Sequence, residues 1–160
     1  MLAEILTILN QYGQQTTQQI QSVTPKATGK TARSVHYEVT DDGAKATLRI
    51  LGRPYFMTVQ TGRKPTPQFT QPSKSFVDAI REWTQAKGIS PLAAYPIAKS
   101  IHQKGTKLWQ KGGNTIISDI VNQSLIDKIS QDALEKFANY YLVSVANLFD
   151  GNSNQSSTRA

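Results

Sequence analysis

The chain contains no cysteine and only two histidines. The first absence excludes disulfide staples, thiolate metal sites and thiol nucleophiles, and it suits a protein made in a reducing cytoplasm. The second leaves His36 and His102 as the sole imidazoles for proton transfer. His36 falls on the strand face opposite Val35, Tyr37 and Val39, and His102 falls on a basic helix beside Ser100 and Lys104, so both read as surface or structural residues. The 11 acids are scattered without metal-ligand spacing. Asp41 and Asp42 are adjacent, but Gly43 after them makes them turn residues before they are paired carboxylates. We therefore expect no catalytic centre, no cofactor and no metal. Aromatic residues are few, at 8%, and hydrophobic content is 38%, which predicts a lean core but one above the disordered range. Long apolar runs are missing as well. The opening MLAEILTILNQYG is interrupted at helical spacing and reads as neither secretory signal nor membrane span.

What is present is charge of one sign, unevenly placed. The net charge is +7 over 160 residues. From Lys26 to Lys111 there are 15 bases against five acids, a net of +10, while the remainder carries −3. A basic middle attracts nucleic acid or an acidic protein surface, and beside an acidic carboxyl-terminal segment it lets copies of one chain pair head to tail. The length fits a single domain, 1–150, followed by a polar tail, 151–160, of disordered composition.

Apolar residues at three-four spacing, among them Leu2, Leu9, Tyr12, Gly13, Thr16, Ile20 and Val23, predict an amphipathic helix ending before Pro25. Its other face is rich in glutamine and reads as a solvated face. Residues 34–40 and 44–51 alternate with period two around Asp41-Asp42-Gly43, which predicts a hairpin. Residues 55–61 form either a third strand or a short helical turn. The run RKPTPQFTQPS, with three prolines, reads as an exposed connection. Ser73 should cap a helix through Phe76, Ile80 and Trp83 that ends near Gly88. A second helix should run from Ser90-Pro91 to about Lys104, with Pro96 forcing a late start or a kink. KGTKLWQKGGN reads as a flexible basic loop and 116–129 as helical. A last helix is expected from a Ser130 cap to Gly151, with Leu134, Phe137, Ala138, Tyr141, Leu142, Val145 and Leu148 facing inward. These elements define an α+β fold class: a small antiparallel sheet (hairpin about 34–51 plus a strand near 55–61) flanked by an N-terminal helix and several C-terminal helices.

Gly29-Lys30-Thr31 has the ending of a phosphate loop, but Thr24 stands where the motif needs its first glycine, and a Gln-rich helix precedes it instead of a strand. Nucleotide binding is rejected. Arg63, Lys64, Lys74, Lys99, Lys104, Lys107 and Lys111 lie in or near loops with Phe69 and Trp109 among them. Contact between these residues and nucleic acid would be made to phosphates, without sequence preference and with steep salt dependence. No recognition helix, zinc spacing or aromatic base-reading motif accompanies them.

The order of three stretches carries a resemblance. They are Thr28-Gly29-Lys30-Thr31-Ala32-Arg33-Ser34-Val35, then Tyr55-Phe56-Met57-Thr58-Val59-Gln60-Thr61-Gly62-Arg63, and then Tyr95-Pro96-Ile97-Ala98-Lys99-Ser100-Ile101-His102-Gln103-Lys104-Gly105-Thr106-Lys107. Together the sequence resembles the small phage proteins that complete the tail of a tailed bacteriophage or join it to the head. Gln60 stands where that family usually has glutamate, and Leu108-Trp109 replaces its proline-phenylalanine pair. The resemblance implies a non-enzymatic virion protein, assembled in the host cytoplasm into a homo-oligomeric ring at the neck or tail end. It implies docking to neighbouring neck and tail proteins through loops 63–73 and 105–114. Arg63, Lys64, Phe69, Lys104, Lys107 and Trp109 are the interface candidates. Lys99 and Lys111 are candidates for contact with packaged DNA in the lumen, and no membrane partner is expected. The competing expectation is a sequence-independent nucleic-acid-binding protein acting outside a virion.

Overall fold

The structure is a computed structural model that describes residues 2–25, 27–66 and 70–153, and its fold is α+β. Helix α1 (Leu2–Val23) buries Ile8, Leu9, Tyr12, Gly13, Thr16, Thr17 and Ile20. Most of its glutamines are exposed as expected, but Gln21 turns inward and donates to the Val35 carbonyl at 2.8 Å. The helix ends as Thr24 folds its hydroxyl back onto the Ile20 carbonyl. A short helix α2 (Lys30–Ser34) leads into the hairpin.

Strands β1 (His36–Asp41) and β2 (Ala46–Leu51) pair antiparallel from His36↔Leu51 to Asp41↔Ala46. Their turn is held by carboxylates: Gly43 donates its N–H to Asp41, and Ala44 and Lys45 donate theirs to Asp42 Oδ1. Asp41 and Asp42 are thus turn residues. The sheet lies against α1, and the approach is close at Gly13. A Cβ there would stand 2.4 Å from the Tyr37 ring and 2.9 Å from Leu48. A helix can come this near a sheet only where one residue has no side chain.

The third strand expected near 55–61 does not form. Tyr55 to Met57 turn, and α3 (Thr58–Thr61) follows, so among the described residues the sheet has two strands. The neighbouring Gly52-Arg53-Pro54 stops the β2 ladder, and the freed segment closes its own hydrogen bonds locally, as in Phe56 N–H to Arg53 O at 2.8 Å.

Helix α4 (Lys74–Ala86) starts where Ser73 accepts the Phe76 N–H. It packs on α5 (Ala94–Lys104), whose buried Ala94 and Ala98 allow the two axes to approach. Pro91 opens a single 3-10 turn and α5 proper starts late, so Pro96 sits in its first turn, where its missing N–H costs nothing. Residues 107–110, expected to be loop, form the short helix α6 (Lys107–Gln110).

The carboxyl-terminal region differs most from expectation. Residues 116–121 are turns, and one helix, α7, runs unbroken over Gln123–Ser153. Asn122 accepts the Leu125 N–H at its start, while Ser130 lies inside it and bonds back to the Ile126 carbonyl. Gly151 does not end it. The expected inward stripe is exposed at Leu134, Phe137, Tyr141, Leu142 and Val145, because α7 overhangs the domain after its contact with α1. The side chain of Leu148 and the tail from 154 to 160 lie outside the described residues.

Candidate functional site

Two of the stretches that carry the resemblance, more than 40 residues apart, meet in one hydrogen-bonded knot. Thr106 donates its backbone N–H to the Arg63 carbonyl at 2.9 Å, and its hydroxyl accepts the Arg63 N–H at 3.0 Å. The same hydroxyl caps α6 by accepting the Trp109 N–H. Three residues on, Thr66 donates to the His102 carbonyl at 2.7 Å. Segment 63–66 is therefore strapped along the end of α5.

Two glycines make the knot possible. Gly62 has φ 72°, and a Cβ there would stand 2.4 Å from the Trp109 nitrogen. Gly105 has φ 74°, and a Cβ would stand 2.9 Å from both the Arg63 carbonyl oxygen and the indole of Trp109. Both combine a left-handed backbone with a contact too close for any side chain.

Gln60 anchors the other side of the knot. Its Oε1 accepts the N–H groups of Ile117 and Ser118 at 3.0 and 2.9 Å, and its Nε2 donates to the Ser118 hydroxyl at 2.7 Å. Its carbonyl takes the Asn114 N–H at 2.9 Å. Gln60 thus ties α3 to the turn leading into α7. A glutamate would accept the same two N–H groups, with the Ser118 hydroxyl turned round to donate.

The candidate interface residues divide by environment. Arg63 is half-buried, with its guanidinium 3.6 Å from the centroid of the Phe76 ring. Lys64, Lys104 and Lys107 are exposed around the knot, and Trp109 lies over Gly105 with 43% of its surface open. Lys99, one turn earlier on α5, and Lys111, at the end of α6, are exposed too. Among the described residues none of these five lysines forms an ion pair. Phe69 lies outside the described residues. Between segment 63–66 and the α4–α5 pair runs a groove of about 750 Å³, walled by Pro65, Phe76, Ala79, Ile80 and Ile101 and edged by Arg63 and Lys64.

His102 is buried at the foot of this site, with Nε2 2.8 Å from the Thr70 hydroxyl, and it has a structural place. His36 is exposed near Glu38. Lys30, from the rejected phosphate-loop sequence, reaches across to Glu82 on α4. Among the described residues no three His, Asp or Glu side chains are placed to hold a metal ion. No described helix is long and apolar enough to cross a membrane.

Sequence reasoning missed Thr106, Asn114 and Phe76 as site residues, and it gave Gln60 only as a departure. A Gly-Thr step after a helix is the one signal that points to Thr106, since glycine ends α5 and threonine is a good cap for a helix starting directly after it. No family model, curated protein or solved structure matches the chain.

Proposed function

We propose that the chain is a non-enzymatic structural protein of a tailed bacteriophage, which forms a ring at the head–tail neck or the tail end and joins or completes the tail. The observation that carries this reading is the knot itself: two of the stretches on which the resemblance rests converge on Gly62, Arg63 and Thr106. The two stretches thus belong to one structural unit. Beside it lie a half-open tryptophan, Trp109, and Arg63, two residue types enriched at the centre of docking surfaces. Mass spectrometry of purified virions, with antibody labelling in the electron microscope, tests the assignment. Label at the neck or tail tip is the expected result, and absence of the protein from infectious particles contradicts it.

The second reading, sequence-independent binding of nucleic acid outside a virion, is favoured by the five exposed lysines, which form no ion pair among the described residues. It requires the isolated chain to bind duplex DNA with an affinity that falls steeply with salt. The proposed structural role requires no such affinity.

A further inference from the structure

Beyond its contact with α1, helix α7 carries apolar side chains that no described residue of the chain covers. Tyr141, Leu142 and Val143 are each more than half exposed, and Leu134, Phe137 and Tyr140 are open as well. From Phe137 to Asn147 the sequence has no charge. A helix apolar around so much of its circumference normally lies in a protein interior.

We infer that this arm of α7 docks on a second copy of the chain, in the groove lined by Phe76, Ile80 and Ile101. The inference rests on the proposed ring for the identity of the occupant, and it names the two surfaces that would join. Three observations support the pairing. Leu134, Phe137, Tyr141 and Val145, spaced three to four residues apart, form one exposed apolar face on the arm, the pattern of anchors with which a helix lies in an apolar groove. The root of the arm carries Asp127 and Glu135, whereas the groove is edged by Arg63 and Lys64, neither of them in an ion pair among the described residues. Among the described residues none of α7 lines the groove, so its apolar wall is not filled by the described part of the chain's own arm. Arm and groove are different surfaces, so the contact is heterologous and propagates until rotation closes it into a ring. A lipid surface is less suited to the arm, which lacks the lysine-rich polar face of interfacial helices.

The chain has no cysteine, so introduced thiols report contacts cleanly. The full chain carrying both Ala79→Cys, at the groove, and Tyr141→Cys, on the arm, is oxidised and run without reductant. Both positions are exposed, and circular dichroism checks that the fold is kept. A ladder of covalent oligomers in the double variant, absent from each single variant, is the expected result. Adding Val145→Asp, on the same face as Tyr141, should abolish the ladder and weaken self-association by about 30-fold in sedimentation, the loss typical of a central apolar contact. Dimers from Tyr141→Cys alone would overturn the inference in favour of arm-to-arm pairing. A chain that gives no ladder and sediments as a monomer would overturn it too, and flotation of that monomer with anionic phospholipid vesicles would assign the arm to lipid. A ladder from a protein absent from virions would leave this inference standing and sink the proposed function.

Discussion

The hydroxyl of Thr106 accepts two backbone N–H groups, those of Arg63 and Trp109. Thr106→Val should cost about 2 kcal/mol, because it keeps the side chain's shape and removes only the acceptor, whereas Thr106→Ser should cost less than half of that. Urea denaturation of both variants checks the pair. Gln60 gives a sharper contrast: Gln60→Ala strands the N–H groups of Ile117 and Ser118 and should cost about 2 kcal/mol, while Gln60→Glu keeps their acceptor and should cost under about 1 kcal/mol. Tyr12 supplies a pH dependence. Its hydroxyl donates to Asp132 at 2.6 Å, and that bond, with burial and the charge of Asp132 added, pushes the phenol from 10.0 up to about 12. A raised tyrosine value means that the native state holds the proton more tightly than the unfolded state. Its stabilising contribution is fully present below pH 10 and is lost as pH rises towards 12. Tyr12→Phe should therefore flatten the fall in stability over this window, as read from urea midpoints from pH 9 to about 12.

At the scale of elements, α7 divides into a part that stabilises the domain and a part that does not. The α1 contact, with its Tyr12–Asp132 bond, lies before Phe137, and every described side chain from 137 to 147 except Ser144 is exposed. A stop codon after Lys136 should lower helical ellipticity but shift unfolding stability by less than about 0.5 kcal/mol, since exposed residues contribute little to a monomer's fold. A large loss of stability would mean that the arm packs on its own chain. The elements legible in the sequence were those specified locally. The hairpin declared itself through Asp41-Asp42-Gly43, α4 through its Ser73 cap, and α1 through its apolar period. What escaped was set from a distance. Helix α6 exists because Thr106 is fixed by Arg63 and can cap it, and four residues cannot signal that by periodicity. Ser130 has the chemistry of a cap, but Asn122 holds the helix start, and a serine inside a helix satisfies itself on the carbonyl four residues back. The stripe on α7 was read as inward because periodicity shows that a face is apolar, not what covers it. The same limit applies to the site: Gly62-Arg63 and Gly105-Thr106 were visible as separate motifs, while their contact needed the fold.

For the molecule as a whole, charge separates the two functional readings. The basic middle puts exposed lysines around the knot, and α7 carries acids at its root, so attraction between copies should weaken as salt rises, though only in part because the arm is apolar. DNA binding, in contrast, would lose affinity steeply over the same range. Fluorescence anisotropy with a labelled duplex should show no binding by the isolated chain at physiological ionic strength. The measurement that tests the central claim most directly is negative-stain electron microscopy of particles made by a phage with an early stop codon in place of this chain. Filled heads beside separate or abnormal tails are the predicted result, with the tail defect marking which side of the joint the ring serves. Normal, infectious virions would contradict the account.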